Sequence, residues 1–126
     1  MPDKGSASKT VLLVDDSPTE LRLLRQALSG KGFNLVSAVD GEEALAKALQ
    51  IKPDLVLLDI ILPKKNGFQV CRQLKTSPET SASKIILVSS KSQDSDRFWG
   101  LKQGADDYLT KPYTEQELMT AVAKYV

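Results

Sequence analysis

The feature that most constrains this chain is the stretch Asp54-Leu-Val-Leu-Leu-Asp59. Its four central residues are apolar and do not alternate with polar ones. Such a run suits a strand buried on both faces, as in a parallel sheet covered by helices. It also delivers a carboxylate, Asp59, at its C-terminal end. Open α/β sheets bind ligands in the crevice beyond those ends. Taken alone, an aspartate there is best read as capping a turn, so its meaning rests on what the other strands deliver.

The rest of the chain repeats the pattern. Thr10-Val-Leu-Leu-Val14 reads as a second buried strand and ends on Asp15-Asp16. Ser17-Pro-Thr-Glu20 then carries helix-start signals: Ser17 as N-cap, Pro18 in the first turn and Glu20 completing a capping box. Leu21, Leu24 and Leu28 line one helical face, and Gly30 or Gly32 stops the helix. A strand is expected over 33–39. Asp40-Gly-Glu-Glu43 opens a helix with Ala44, Leu45, Ala48 and Leu49 inward, closed by Lys52-Pro53. After Gly67 a third helix carries Phe68, Cys71 and Leu74, followed by a Ser/Thr-rich loop over 76–83. Lys84-Ile-Ile-Leu-Val88 reads as a buried strand ending on Ser89-Ser90. A helix over about 93–103 comes next, with Gly104 as its cap and Phe98 and Leu101 toward the core, so that Trp99 covers a core edge or meets a partner. A short strand over 106–109 ends at Thr110-Lys111-Pro112. Thr114-Glu-Gln-Glu117 is another capping box, and Leu118, Ala121, Val122 and Tyr125 share a face of the last helix.

Strand and helix thus alternate five times. The expected fold is α/β: a (βα)5 doubly wound, flavodoxin-like, five-stranded parallel sheet of order 2-1-3-4-5. The 126 residues suit one domain, over 9–126, behind a polar tail at 1–8 that is expected to be mobile.

Composition narrows the function. Seventeen basic against sixteen acidic residues give no nucleic-acid footprint. No apolar run approaches a membrane span, and there is no signal-peptide core. The single cysteine, Cys71, sits at helical spacing from Phe68 and Leu74 and reads as a small core residue. A cytoplasmic monomer is expected. The chain has no histidine, so it holds no Ser-His-Asp or Cys-His arrangement and no histidine-based zinc site. Any phosphohistidine must come from another protein.

The strand ends together deliver Asp15 and Asp16, Asp59, Ser89 and Lys111. Three close carboxylates repel one another, and a divalent cation resolves the conflict. Mg2+ prefers hard oxygen ligands, commonly one or two carboxylates with phosphate oxygens. Lys111 adds a fixed positive charge, and the Ser89 hydroxyl can donate to a phosphoryl oxygen. This is a phosphoryl-transfer site in which Asp59 can be the nucleophile. An acidic pocket that binds a cation only for stability would leave the hydroxyl and the lysine unexplained.

Asp15-Asp16, Asp59 with Pro63 and Gly67, Ser89 and Lys111-Pro112 resemble the pattern of the CheY-like receiver domain of bacterial response regulators. The resemblance implies that Asp59 accepts a phosphoryl group from a phosphohistidine on a sensor histidine kinase or its phosphotransfer domain. It implies Mg2+ held by Asp16, Asp59 and the backbone carbonyl of Ile61, with Asp15 acting through water. Ser89 and Tyr108 would be a switch pair, Lys111 the phosphate-side lysine, and Lys111-Pro112 a cis peptide. Phosphorylation would draw in the Ser89 hydroxyl, let the Tyr108 ring turn inward, and change a surface formed by helix four, strand five and helix five. Ile61 and Lys91 would flank the path of the hydrolytic water. Neither can activate that water, so slow self-dephosphorylation is expected. Two departures stand out: Ser89 replaces a more usual threonine, and Tyr113 a more usual phenylalanine. Ser17-Pro-Thr-Glu20, Asn66-Gly-Phe-Gln69, Trp99-Gly-Leu-Lys-Gln-Gly104 and Tyr108-Leu-Thr-Lys-Pro112 further resemble single-domain receivers of type IV pilus, or twitching-motility, chemosensory systems.

Other classes fit less well. A flavodoxin-like cofactor binder would want a Ser/Thr/Gly phosphate loop after the first strand, and a dinucleotide enzyme G-x-G-x-x-G. The serious alternative is a pseudo-receiver scaffold not regulated by phosphate. The expected protein is a signalling phosphoacceptor, not an enzyme acting on other substrates, and its output is binding of a partner protein.

Overall fold

The computed structural model describes residues 8–90 and 93–126. Strands and helices alternate as β1 (Thr10–Val14), α1 (Pro18–Leu28), β2 (Asn34–Ala38), α2 (Gly41–Ile51), β3 (Leu55–Asp59), α3 (Gly67–Thr76), β4 (Lys84–Ser89), α4 (Asp94–Lys102), β5 (Asp107–Thr110) and α5 (Glu115–Ala123). The sheet is parallel throughout, in the order β2-β1-β3-β4-β5. The fold expected from the sequence is the one observed. The expectation for the tail at 1–8 falls almost wholly outside the described residues.

The unalternating strands bury both faces. Leu12, Val14, Val56, Leu58, Ile85 and Leu87 pack under α2, α3 and α4 with Ala44, Ala48, Val70 and Leu74. Val11, Leu13, Leu55, Leu57, Ile86 and Val88 face the other way, against Leu24 and Leu28 of α1 and Leu118 and Val122 of α5. Cys71 is buried in the first layer, as expected.

Three expected core positions, Leu49, Phe98 and Leu101, are exposed. Leu49 lies outside the stripe that buries Gly41, Ala44 and Ala48, because it sits about 100° round the helix from Ala48. On α4, Phe98, Trp99 and Leu101 are 61%, 55% and 46% exposed, and Gly100 is the buried residue. Gly100 lets α4 lie close on the sheet: a methyl there would come within 2.8 Å of Leu87 and 3.2 Å of the Tyr108 ring. With its glycine pressed down, the helix must carry Phe98 and Leu101 on its outer flanks.

The register aligns the strand ends. Val14 stands beside Leu58, Asp59 beside Val88, and Ser89 beside Thr110. Asp15, Asp59, Ser89 and Lys111 therefore emerge at one edge of the sheet. The Lys111-Pro112 bond is cis, as the resemblance implied.

Candidate functional site

Each side chain in this edge is held by local backbone chemistry. Asp15 follows β1 and its N–H donates to the Ala38 carbonyl at 3.1 Å. Its Oδ1 accepts from the Ser17 N–H at 2.9 Å, and Ser17 Oγ accepts from the Glu20 N–H at 3.3 Å. Asp59 is the last residue of β3, and its carboxylate accepts hydrogen bonds from the backbone N–H groups of Ile60 and Ile61. The following loop is tied to α3, where the Gly67 N–H donates to the Ile60 carbonyl at 2.7 Å. A methyl on Gly67 would overlap the Asp59 carbonyl and Ile60, so glycine is what lets α3 press against the segment that aims Asp59. The Lys111 N–H donates to the Ser89 carbonyl at 2.8 Å, which fixes the β5 exit against the β4 exit.

Asp15, Asp16 and Asp59 each place a carboxylate oxygen so that all lie within 4.8 Å of one another. Asp15 is buried and Asp16 exposed. A compact set of carboxylate oxygens with one open side matches what a hard divalent cation takes. Burial raises the Asp59 pKa above the ordinary carboxylate value. The Lys111 charge opposes that rise, the Asp15 charge adds to it, and the Ile61 and Ile60 N–H groups oppose it. The cluster thus carries more negative charge than its surroundings balance, which a bound cation would relieve.

Lys111 is the local counter-charge. Its Nζ lies 3.1 Å from Glu20 Oε1, 3.3 Å from Asp15 Oδ2 and 3.8 Å from Asp59 Oδ2. Burial works against its charge, yet Asp59, Glu20 and Asp15 together hold its pKa above the ordinary lysine value. Glu20 is the residue the sequence reading missed. It was expected to complete a capping box on the Ser17 N–H, but Asp15 occupies that donor, and the Glu20 carboxylate turns to Lys111.

Ser89 is buried at the end of β4. Tyr108 is also buried and shares a side-chain hydrogen bond with Ser89. The expected inward turn of this ring is already made: the ring packs on Gly100, and the Arg97 guanidinium stands 5.3 Å from its centroid. Arg97 also donates to the Tyr108 carbonyl at 3.2 Å. Ile61 is exposed. Lys91, expected beside it, lies outside the described residues. Burial pushes the Cys71 thiol up to about 12, which excludes it as a nucleophile near neutral pH.

The response regulator receiver domain matches residues 11–123. This chain belongs to that family. The receiver is 47% identical over 112 residues to protein PilH of Pseudomonas aeruginosa, covering 89% of this chain and 93% of PilH. It also matches longer curated proteins, of which it spans about half or, for the response regulator PleD of Caulobacter vibrioides, 25%. Among solved structures it resembles the chemotaxis protein CheY4 of Vibrio cholerae, with a TM-score of 0.88 and 26% identity over 95% of this chain and 100% of that one. The receiver domain of the sensor histidine kinase PA1611 of Pseudomonas aeruginosa matches with a TM-score of 0.86 and 27% identity, over 94% of this chain and 98% of that one. The PA1611 structure holds a magnesium ion in its active-site cleft. Among the described residues of the present chain, no helix is long and apolar enough to cross a membrane.

Proposed function

We propose that this receiver takes a phosphoryl group onto Asp59 from a phosphohistidine of a sensor kinase or its phosphotransfer domain. The observation that carries this reading is Asp59 at the end of β3, inside a three-carboxylate cluster, with the Lys111 ammonium 3.8 Å away. An Asp59 oxygen would bond to phosphorus as the donor's P–N bond breaks, and the bonding pair would return to the imidazole nitrogen. Asp16, Asp59 and the Ile61 carbonyl would hold Mg2+, with Asp15 acting through water. The cation would offset charge on the carboxylates and phosphoryl oxygens. Lys111 would stabilise the transferring group from its own side.

The Ser89 hydroxyl would then give up Tyr108 for a phosphoryl oxygen, and the loss of that hydrogen bond would loosen the ring from its place beside Gly100. The change would be read by a partner protein at α4, β5 and α5. Support comes from the exposed apolar residues Phe98, Trp99 and Leu101, and from a cleft of about 390 Å3 between β5 and α5 that includes Tyr108. The 47% identity to PilH, together with the pilus-type sequence stretches, favours chemosensory control of type IV pili. Ile61, branched and exposed, can cover the phosphoryl group without activating water, and so would lengthen the lifetime of the phosphorylated state.

The test is incubation with acetyl phosphate and Mg2+, followed by intact mass. One phosphoryl adduct is expected on the wild type, none on Asp59→Asn, and none in excess chelator. An adduct that persists in Asp59→Asn would sink the assignment. Timing the decay of the same adduct in Ile61→Asn checks the lifetime: faster loss is expected, and unchanged decay would remove Ile61 from that role. A tenfold change needs only about 1.4 kcal/mol of barrier.

A further inference from the structure

The carboxylate nearest the Lys111 ammonium belongs to none of the three clustered aspartates. Glu20, on the first turn of α1, stands at 3.1 Å, while Asp59 stands at 3.8 Å. This is not a by-product of helix capping, because the Ser17 N–H that would have donated to Glu20 already donates to Asp15. Glu20 is therefore free to serve the site, and its side chain is only 35% exposed there. It also borders a cavity of about 580 Å3 between α1 and α5, lined by Lys111, Tyr113 and Glu115, among others.

Resting on the phosphoacceptor reading above, we infer that Glu20 is a positioning residue that tethers the Lys111 ammonium away from Asp59 and so restrains phosphorylation. A phosphoryl group arriving on Asp59 needs that ammonium, so it must compete with a full carboxylate for it. Glu20 also adds a negative charge where an anionic phosphodonor approaches. Both effects point the same way: the tether lowers the rate at which Asp59 is phosphorylated. Asp15 and Asp59 also face the ammonium, but a divalent cation draws on their charge. Glu20 lies outside the three-aspartate cluster, so the cation leaves its hold on Lys111 intact.

The experiment compares wild type, Glu20→Gln and Glu115→Gln. Glutamine keeps the hydrogen-bonding shape of Glu20 and removes its charge. Glu115→Gln removes the same charge from the same cavity, and the ion pairs of Lys111 run to Asp15, Glu20 and Asp59. Adduct formation with acetyl phosphate and Mg2+ is followed by intact mass, and the Lys111 side chain is titrated by NMR with labelled lysine. Glu20→Gln should form the adduct roughly two- to fivefold faster, the range for a partly exposed ion pair. Its Lys111 should also lose its proton at lower pH, which confirms that the ion pair is gone; the faster phosphorylation is the change that a merely structural role would not produce. Glu115→Gln should match the wild type in both. Equal or slower phosphorylation of Glu20→Gln overturns the tether, and so does equal acceleration by Glu115→Gln. If no protein, wild type included, gains a phosphoryl group, the phosphoacceptor reading fails. The tether, which rests on that reading, then falls with it.

Discussion

The two ends of the sheet each hold a lysine among carboxylates, and they are built on opposite plans. At the N-terminal ends of the strands, Lys75 Nζ lies 3.0 Å from Asp106 Oδ2 and donates to the Ser83 carbonyl at 2.7 Å. Asp106 Oδ2 also accepts the Ile85 N–H at 2.8 Å, and Asp54 Oδ2 accepts the Thr10 N–H at the same distance. There the ammonium is matched one to one with Asp106, and strand-end N–H groups donate to Asp106 and Asp54. At the C-terminal ends, one ammonium serves Asp15, Glu20 and Asp59, with Asp16 close by. Balanced charge locks a structure, whereas an excess of one sign leaves room for a cation and an incoming group. The charge balance, and not the presence of a lysine–aspartate pair, separates the structural end from the functional one.

The largest expected effect breaks the balanced end. Asp106→Ala leaves the Lys75 ammonium without its carboxylate and the Ile85 N–H without its acceptor. Both side chains are mostly buried, at 17% and 22% exposure. A loss of about 3 kcal/mol is expected by urea denaturation, near the low end for a broken buried pair. A loss below about 0.5 kcal/mol, the scale of an ordinary surface change, would show the pair to be incidental.

That contrast was only half legible in the sequence. The strands were, because unalternating apolar runs such as residues 55–58 suit only a sheet covered on both faces. Asp15, Asp59 and Ser89 were legible because each follows directly on such a run, and Lys111 because it stands with Pro112 at the end of the short last strand. Glu20 looked like a capping residue, since the competing use of the Ser17 N–H by Asp15 depends on how the chain turns after β1. The outward placement of Phe98 and Leu101 was hidden for a related reason. Periodicity shows which residues share a helical face, but here Gly100 decides which face meets the sheet, and a glycine contributes nothing to an apolar pattern.

The next effect fills the unbalanced end. Mg2+ should stabilise the wild type by about 2.7 kcal/mol at a hundredfold its dissociation constant, if it binds only the folded state. Chelator should remove the gain, Asp59→Asn should lose most of it, and Asp106→Ala should keep it despite its lower starting stability. Thermal unfolding with and without Mg2+ reads all three. An equal gain in wild type and Asp59→Asn would place the cation elsewhere.

The smallest effect has the opposite sign to the first. Asp59 is costly to ionise in the fold, chiefly because it is buried and also because Asp15 is near, so its folded pKa lies above the unfolded value of 3.8. Below the unfolded pKa both states hold the proton, and the site costs nothing. As pH rises from there through the folded pKa, the unfolded chain gives up its proton first, and stability falls. Above the folded pKa the penalty is constant. Asp59→Asn cannot ionise, so without Mg2+ it should be more stable than the wild type at neutral pH, by about 0.5–2 kcal/mol, the usual gain from relieving one unfavourable site. The difference should shrink as pH falls toward the unfolded value. The same change at the balanced end, Asp106→Asn, should destabilise at neutral pH, because there the charge it removes is paired. Denaturation of wild type and both variants across pH in chelator separates the two ends. If Asp59→Asn gains no stability at neutral pH, the excess of negative charge at the C-terminal ends is already balanced without a metal.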